Sequence, residues 1–191
     1  IQPVHIGVKW NQENKIFRSS LWDMDGNPIS LSFPKFTNWG ENPDNFPTPS
    51  SLKNATIVEK LDGSLLIVSM YKGNLILRTR GTVDAHKLEN GHELSHFMEI
   101  AHRLGNGEDT WKMSFLFEWL SPVNRIVIRY GDTPMFKLVG AVYHDNYELA
   151  TQTELDCWAR AHGLLRPETY KFDDVAELLS KIDLWEGKEG V

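Results

Sequence analysis

Lys60, Asp62 and Gly63 stand together in Glu59-Lys60-Leu61-Asp62-Gly63-Ser64, immediately ahead of a β-rich run. In extended backbone, residues two apart share a face, so Lys60 and Asp62 are expected to project to one side. The glycine that follows permits close approach of backbone to a ligand. This pattern suits a nucleophilic amine, on one condition. An ordinary lysine has a pKa of about 10.4, so only ~0.1% is neutral near pH 7.5. Neighbouring cations or a metal must lower that value before the amine can attack phosphorus. Arg78 and Arg80 alternate on one face of the next β-rich run, where they can supply positive charge and grip phosphate oxygens bidentately. The same six residues also fit a solvated, charged turn leading into a hairpin, and the local pattern alone leaves both readings open.

Glu118 is the second candidate. It lies in Phe115-Leu116-Phe117-Glu118-Trp119-Leu120, where alternation puts the three aromatics on one face and the carboxylate on the other. A Glu inside an apolar strand is costly unless it is paired or used, or unless the strand is an edge facing water. The third candidate region begins at Arg18, passes a turn at Trp22-Asp23-Met24-Asp25-Gly26, and reaches Ser32-Phe33-Pro34-Lys35-Phe36-Thr37-Asn38-Trp39-Gly40-Glu41. Aromatics around a single Lys also fit simple packing with a solvated charge.

A separate motif points to different chemistry. His92-Glu93-Leu94-Ser95-His96 is a complete His-Glu-x-x-His, the helix signature of a zinc-dependent hydrolase, with His102 ten residues after His92. The third-ligand spacing depends on a Gly to turn the chain away, and Glu99 stands there instead. On a continuous helix His102 lies about 9 Å further along the axis than His96 and cannot close on the same metal. A His92/His96/Glu99 face is the metal site that survives this geometry. The plain alternative is a solvated polar face.

The elements that must position these groups follow from periodicity. Residues 64–71 and 74–80 read as strands joined by Lys72-Gly73, a two-residue hairpin connection. Residues 86–104 have helical spacing with Leu88, Phe97, Ile100 and Leu104 inward. Strands are expected at 114–120, 125–130 and 135–143. Helices are expected from Glu154 to Gly163 and from Asp173, as N-cap, to Ile182. Strands in runs with irregularly placed helices predict an α+β fold. The segment 38–51, dense in Pro, Asn and Ser, reads as a surface loop. Cys157, beside Leu155 and Trp158 on its helix, reads as a packed thiol. Trp119, Trp158 and Trp185 read most simply as packing contacts.

Composition narrows the class. The chain has 191 residues, a length that fits one domain spanning 1–191. Its 20 basic and 26 acidic residues give −6, against a protein coated in positive charge but compatible with a local basic groove. The single cysteine excludes an internal disulfide framework and a Cys-rich zinc cluster, and fits a reducing cytoplasm. No apolar run approaches the roughly 20 residues of a membrane span, and no signal peptide is legible at the N-terminus. The chain starts at Ile1 and stops at Glu189-Gly190-Val191, which reads as a piece of something longer.

Taken in order, these pieces resemble one family. They are Arg18, Phe33-Pro34-Lys35-Phe36-x-Asn38-x-Gly40-Glu41, Glu59-Lys60-x-Asp62-Gly63-Ser64, Arg78-Thr79-Arg80-Gly81, Phe117-Glu118-Trp119-x-x-Pro122-x-Asn124-Arg125-Ile126-Val127 and Glu189-Gly190-Val191. The set is similar to the nucleotidyltransferase domain of ATP-dependent RNA ligases of the T-even phage RNA ligase 1 type. Lys-x-Asp-Gly is shared with DNA ligases and capping enzymes. The Phe-Pro-Lys-Phe and Pro-x-Asn-Arg-Ile-Val blocks point to the RNA ligase branch, with fungal tRNA ligases as near relatives.

The resemblance implies antiparallel sheets with flanking helices and ATP in the groove between them. It implies that Lys60 takes AMP from ATP through a phosphoramidate bond and passes it to a 5′-phosphate RNA end, which a 3′-hydroxyl then seals. By the same likeness Arg18, Lys35, Glu59, Gly63, Arg78, Arg80 and Phe136 belong to the nucleotide site, with Phe136 otherwise a core aromatic. Glu118 is expected to bind the ribose or orient Lys60. Asp62 and Glu189 are expected to hold hydrated Mg²⁺ or Mn²⁺. Arg80 replaces the family's usual Lys, and the final Lys-x-Lys strand that would follow Glu189 is missing, so the domain is expected to be incomplete at its C-terminus. A monomer acting in the cytoplasm, the host's if the source is viral, completes the expectation. A non-catalytic nucleotide- or RNA-binding module is the remaining alternative, against which the set Lys60, Asp62, Glu118 and Glu189 speaks.

Overall fold

The computed structural model describes residues 7–105, 112–123, 127–182 and 184–186. Its centre is a four-stranded antiparallel sheet in the order β5-β4-β6-β7, built from β4 (Ser64–Tyr71), β5 (Asn74–Thr79), β6 (Met113–Leu120) and β7 (Met135–Tyr143). The β4–β5 hairpin closes through Lys72 and Gly73 at φ 48° and 79°. Two consecutive positive φ values give the turn whose twist matches the flanking strands. Alternation then sorts the side chains. Leu66 and Val68 of β4 and Phe115, Phe117 and Trp119 of β6 pack into the main core. Ile67 and Leu116, one residue out of step, face the other way and meet Trp22, Leu31 and Val142.

The main core is covered by α1 (Met98–Gly105) and α2 (Gln152–His162). Thr151 and Glu154 form a complete capping box at the start of α2, and Gly163 ends it in the left-handed conformation. The opposite face of the sheet is covered by the hairpin β1 (Leu21–Trp22) and β2 (Pro28–Ser30) and by the chain that follows it. A third cluster joins Leu52 and Ile57 to Leu178 of α3 (Val175–Ile182). It is tied by the antiparallel pair of β3 (Ile57–Val58) and β8 (Thr169–Tyr170).

Several expectations change. The helix expected over 86–104 is instead two 3-10 segments, Ala85–Lys87 and Gly91–His96, followed by α1. Gly91 explains the break, since a Cβ there would lie 2.3 Å from the His86 carbonyl oxygen. Leu88, on the interrupted stretch, is exposed, whereas Phe97 and Leu104 are buried as expected. Residues 127–130 are irregular rather than a strand, and residues 125–126 lie outside the described residues. Asp174 rather than Asp173 precedes α3, its carboxylate accepting the Ala176 N–H at 2.6 Å. Cys157 is exposed, with Arg160 donating to its sulfur at 3.5 Å, so it is not a packed thiol. Trp119 is buried, while Trp158 packs edge-on against Phe115 and Trp185 packs at a tilt against Tyr170.

Candidate active site

Between the open face of the sheet and the N-terminal segment lies a groove of about 820 Å³. Strand pairing sets up its floor. The β3–β8 pair is extended by the Glu59 N–H donating to the Glu168 carbonyl at 2.9 Å. The chain then crosses from that pair to β4, and Lys60 falls on the crossing. Lys60 is exposed at the groove and Leu61 and Asp62 are buried, and Lys60 and Asp62 both line the groove. Asp62 Oδ2 accepts the backbone N–H groups of Val127 and Ile128 at 2.5 and 2.6 Å. The Asp62 N–H donates to the Tyr130 hydroxyl at 2.9 Å. Asp62 therefore clamps the irregular 127–130 segment to the edge of the groove.

Glu118 projects from β6 into the same groove, on the face opposite the aromatics, as alternation predicts. Burial pushes its carboxyl up to about 7, against the downward pull of the Gly63 N–H and the Lys60 charge. Gly63 is required by close backbone packing: a Cβ there would lie 2.6 Å from the Trp119 carbonyl oxygen. The tight approach is to strand β6, which is what brings the Gly63 N–H to Glu118.

Arg18 and Arg80 line the groove as well. The Arg18 guanidinium lies 5.0 Å from the centre of the Phe36 ring. Burial, and then the charge of Arg80, hold its pKa below the usual arginine value. Two guanidiniums gathered in one groove make a site suited to an anion. Glu59 lines the groove too, but its carboxylate is 3.9 Å from Lys137 Nζ and accepts the Glu168 N–H at 3.3 Å. It braces the crossing between β3 and β7.

Three expected site residues stand elsewhere, and a fourth is not among the described residues. Arg78 is buried, pointing away from the groove, and donates from Nε to Ser30 Oγ at 2.8 Å and from its terminal nitrogen to Ser30 O at 2.9 Å. Its pairing partner in β4 is Ile67, and it ties β2 to the sheet rather than holding phosphate. Phe136 is a core aromatic, 4.7 Å from Phe97 and stacked on Trp119, and is sealed from any adenine. Lys35 lines a neighbouring cavity rather than the Lys60 groove. Glu189, the second expected metal ligand, lies outside the described residues. Among the described residues no group of three His, Cys, Asp or Glu could hold a metal ion.

The His-Glu-x-x-His motif is also resolved against a metal. A 3-10 segment has three residues per turn, so His92 and His96 diverge by about 120° instead of sharing a face. Glu93, which would be the catalytic base of a hydrolase, is buried and accepts from Trp119 Nε1 at 2.9 Å and Ser121 Oγ at 3.0 Å. Two contributors escape sequence reasoning. Gln152 lines the groove and accepts from Arg166, and no sequence signal marks it. Tyr130 holds Asp62, and its one signal is that it follows closely on the Pro-x-Asn-Arg-Ile-Val block.

Comparison with known proteins places this geometry. A search of curated protein sequences finds no significant match. The fold is similar to an archaeal ATP-dependent RNA ligase, form 2, with a TM-score of 0.62 at 10% identity over 90% of this chain and 46% of that one. Form 1 of that ligase gives 0.56 at 14% identity over 87% and 44%. A mutant Naegleria gruberi RNA ligase with ATP and Mn gives 0.52 at 12% identity over 69% and 42%. The chain thus spans less than half the length of each, and at these identities the likeness is one of fold. The RNA ligase family model matches residues 23–190, nearly the whole chain, and the chain belongs to that RNA ligase family.

Proposed function

We propose that this chain is the nucleotidyltransferase part of an ATP-dependent RNA ligase in which Lys60 carries AMP. The observation that supports it most is the setting of Lys60: an exposed amine in a groove of about 820 Å³, with Glu118 on the floor and Arg18 and Arg80 along the walls. The deprotonated amine attacks the α-phosphorus, a P–N bond forms, and the bond to the β-phosphate oxygen breaks to release pyrophosphate. AMP then passes to the 5′-phosphate of an RNA strand, and attack by a 3′-hydroxyl forms the phosphodiester and expels AMP. Arg18 and Arg80 hold phosphate oxygens. Glu118 lies within the field of Lys60 and either orients the amine or binds a ribose hydroxyl.

A divalent cation neutralises phosphate charge in such chemistry and helps a lysine lose its proton. Mg²⁺ commonly takes one or two carboxylates and keeps water and phosphate for the rest. Asp62 fits a contribution of that size and no more, because Oδ2 is already committed to two backbone N–H groups. The archaeal protein is named as an ATP-dependent RNA ligase and the Naegleria mutant as an RNA ligase with ATP and Mn, which supports the choice of nucleotide and metal class.

The test is incubation of the full-length protein with ATP labelled at the α-phosphate and Mg²⁺ or Mn²⁺, followed by denaturing electrophoresis. A covalent label is expected on wild type, none with ATP labelled at the γ-phosphate, and none on Lys60→Ala. A folded full-length protein that binds ATP without becoming labelled is a binding module, and the ligase reading fails. Label transferred to a 5′-phosphorylated oligoribonucleotide, but not to its 5′-hydroxyl counterpart, establishes the end that is activated.

A further inference from the structure

Phe36 and Trp39 are 58% and 57% exposed, although the chain beneath them is firmly held. The Lys35 N–H donates to the Lys15 carbonyl at 2.8 Å, and Phe33 packs against the sheet and edge-on to Phe36. With Phe46 these aromatics line a cavity of about 510 Å³, which Lys15 and Lys35 also border. Among the described residues no acidic side chain lines it, in a chain carrying 26 acidic residues against 20 basic ones. The Lys15 ammonium is steadied by Gln12 Oε1 at 2.6 Å. The cavity adjoins the Lys60 groove, with Phe33 and Phe36 lining both, and Arg18 sits over Phe36 where they meet.

We propose that this aromatic cavity docks the bases of single-stranded nucleic acid and leads the strand end into the Lys60 groove. Exposed ring faces bordered by lysines supply the two terms such strands use, stacking and phosphate neutralisation. A duplex offers no free base faces, since its bases already stack on one another, and A-form helices are gripped by shape and backbone instead. Lys15 and Lys35 at the aromatic cavity and Arg18 and Arg80 in the adjoining groove provide cations on both sides for the phosphates of such a strand. Which end the strand presents rests on the ligase reading above; the docking does not.

The experiment is fluorescence anisotropy of the full-length protein with a dye-labelled, 5′-phosphorylated single-stranded oligoribonucleotide. Stacking on one aromatic is worth roughly 5- to 150-fold in affinity. Trp39→Ala is therefore expected to weaken binding by about tenfold or more, and Trp39→Phe to restore most of it. Lys35→Gln is expected to weaken binding and reduce the slope of log affinity on log salt by about 0.7. Labelling of Lys60 by ATP should be unchanged in Trp39→Ala, because Trp39 lies outside the Lys60 groove. A duplex of the same sequence should compete poorly.

Wild-type protein that fails to bind the single strand overturns the proposal, as does a Trp39→Ala protein that binds it equally well. Displacement of the oligonucleotide by duplex as readily as by single strand also overturns it. Trp39-dependent binding in a protein that never labels Lys60 sinks the ligase reading and leaves the docking site standing.

Discussion

Glu93 and Glu118 flank Trp119 from opposite faces of the central sheet, and the difference between them separates structure from chemistry. Glu93 lies on the closed face, 3% exposed, with the Trp119 indole and the Ser121 hydroxyl each donating to one of its oxygens. Those partners replace the water that burial removed. Glu118 lies on the open face, where the Gly63 N–H and the charge of Lys60 do not offset burial and its carboxyl rises to about 7. A carboxyl in that condition has bonding capacity left for a ligand or for a neighbouring amine. The sequence offers both as candidate catalytic acids, Glu118 inside an apolar strand and Glu93 inside a His-Glu-x-x-His. The partners that distinguish them are 26 and 28 residues away in the chain.

The comparison breaks first on activity. Glu118→Ala is expected to lower Lys60 labelling by about 100-fold or more, the scale of losing one positioned polar group at a reacting centre. Its stability near pH 8 should hold or rise, because an incompletely satisfied buried carboxylate is removed. Labelling within a few-fold of wild type would make Glu118 a bystander. Glu93→Leu should do the reverse. It leaves the buried Trp119 N–H without its acceptor and is expected to cost about 2–3 kcal/mol in denaturant unfolding. Labelling per folded molecule should stay within about twofold. A loss of labelling with unchanged stability would put Glu93 in the chemistry and void the distinction.

Where the sequence was informative, the determinants were local. Strand β4 at 64–71 and β7 at 135–143 coincide with expectation because apolar alternation and flanking turn residues define both ends. The Gly163 stop of α2 is equally local, although the helix begins at Gln152, behind a Thr151–Glu154 capping box, and not at the expected Glu154. Lys60, Glu118, Arg18, Arg80, Glu59, Asp62 and Gly63 do converge on one groove. What escaped was every role decided by a distant partner. Arg78 looks like a phosphate-binding arginine until Ser30, 48 residues earlier, takes its donors. Asp62 looks like a free carboxylate until the backbone of 127–128 folds onto it. Phe136 looks available for stacking until Phe97 and Trp119 enclose it. Helical spacing over 86–104 was genuine, but it could not reveal the collision with the His86 carbonyl that any side chain at Gly91 would make.

A finer comparison uses pH. Glu118 keeps its proton in the folded state up to about 7, whereas unfolded it ionises near its ordinary 4.5. Between those values the folded state binds more protons, so this group's contribution to stability is full below about 4.5 and is lost as pH rises through about 7. His144 acts in the opposite direction. Burial lowers it to about 4 from the ordinary 6.5, so its contribution is full above about 6.5 and is lost as pH falls through about 4. Over pH 4.5–6.5 the two oppose, and wild-type stability should be nearly flat. Glu118→Gln removes one of them, so its stability is expected to rise with pH across that window, separating from wild type by up to about 2–3 kcal/mol at pH 7.5. Parallel unfolding profiles for the two proteins would show that Glu118 is ordinary in its ionisation.

The smallest expected effect is the one the sequence made most conspicuous. His92 and His96 are both exposed, and the 3-10 segment that carries them turns them about 120° apart. The acid between them is occupied by Trp119 and Ser121. Replacing both histidines by Ala is therefore expected to change stability by no more than about 0.5 kcal/mol, the range of ordinary surface substitutions. Labelling of Lys60 should be untouched. Zinc provides the sharper version of this test. A metal bound to the folded state raises the melting temperature by mass action in proportion to its affinity. Stoichiometric Zn²⁺ should leave wild type and the double variant melting together. A zinc-dependent rise present in wild type and absent from the variant would mean that the segment rewinds into an α-helix around the ion. Glu93 would then have to leave Trp119, at the cost of about 2–3 kcal/mol already assigned to that contact. Any zinc site built on His92 and His96 must therefore first turn that glutamate out of the core.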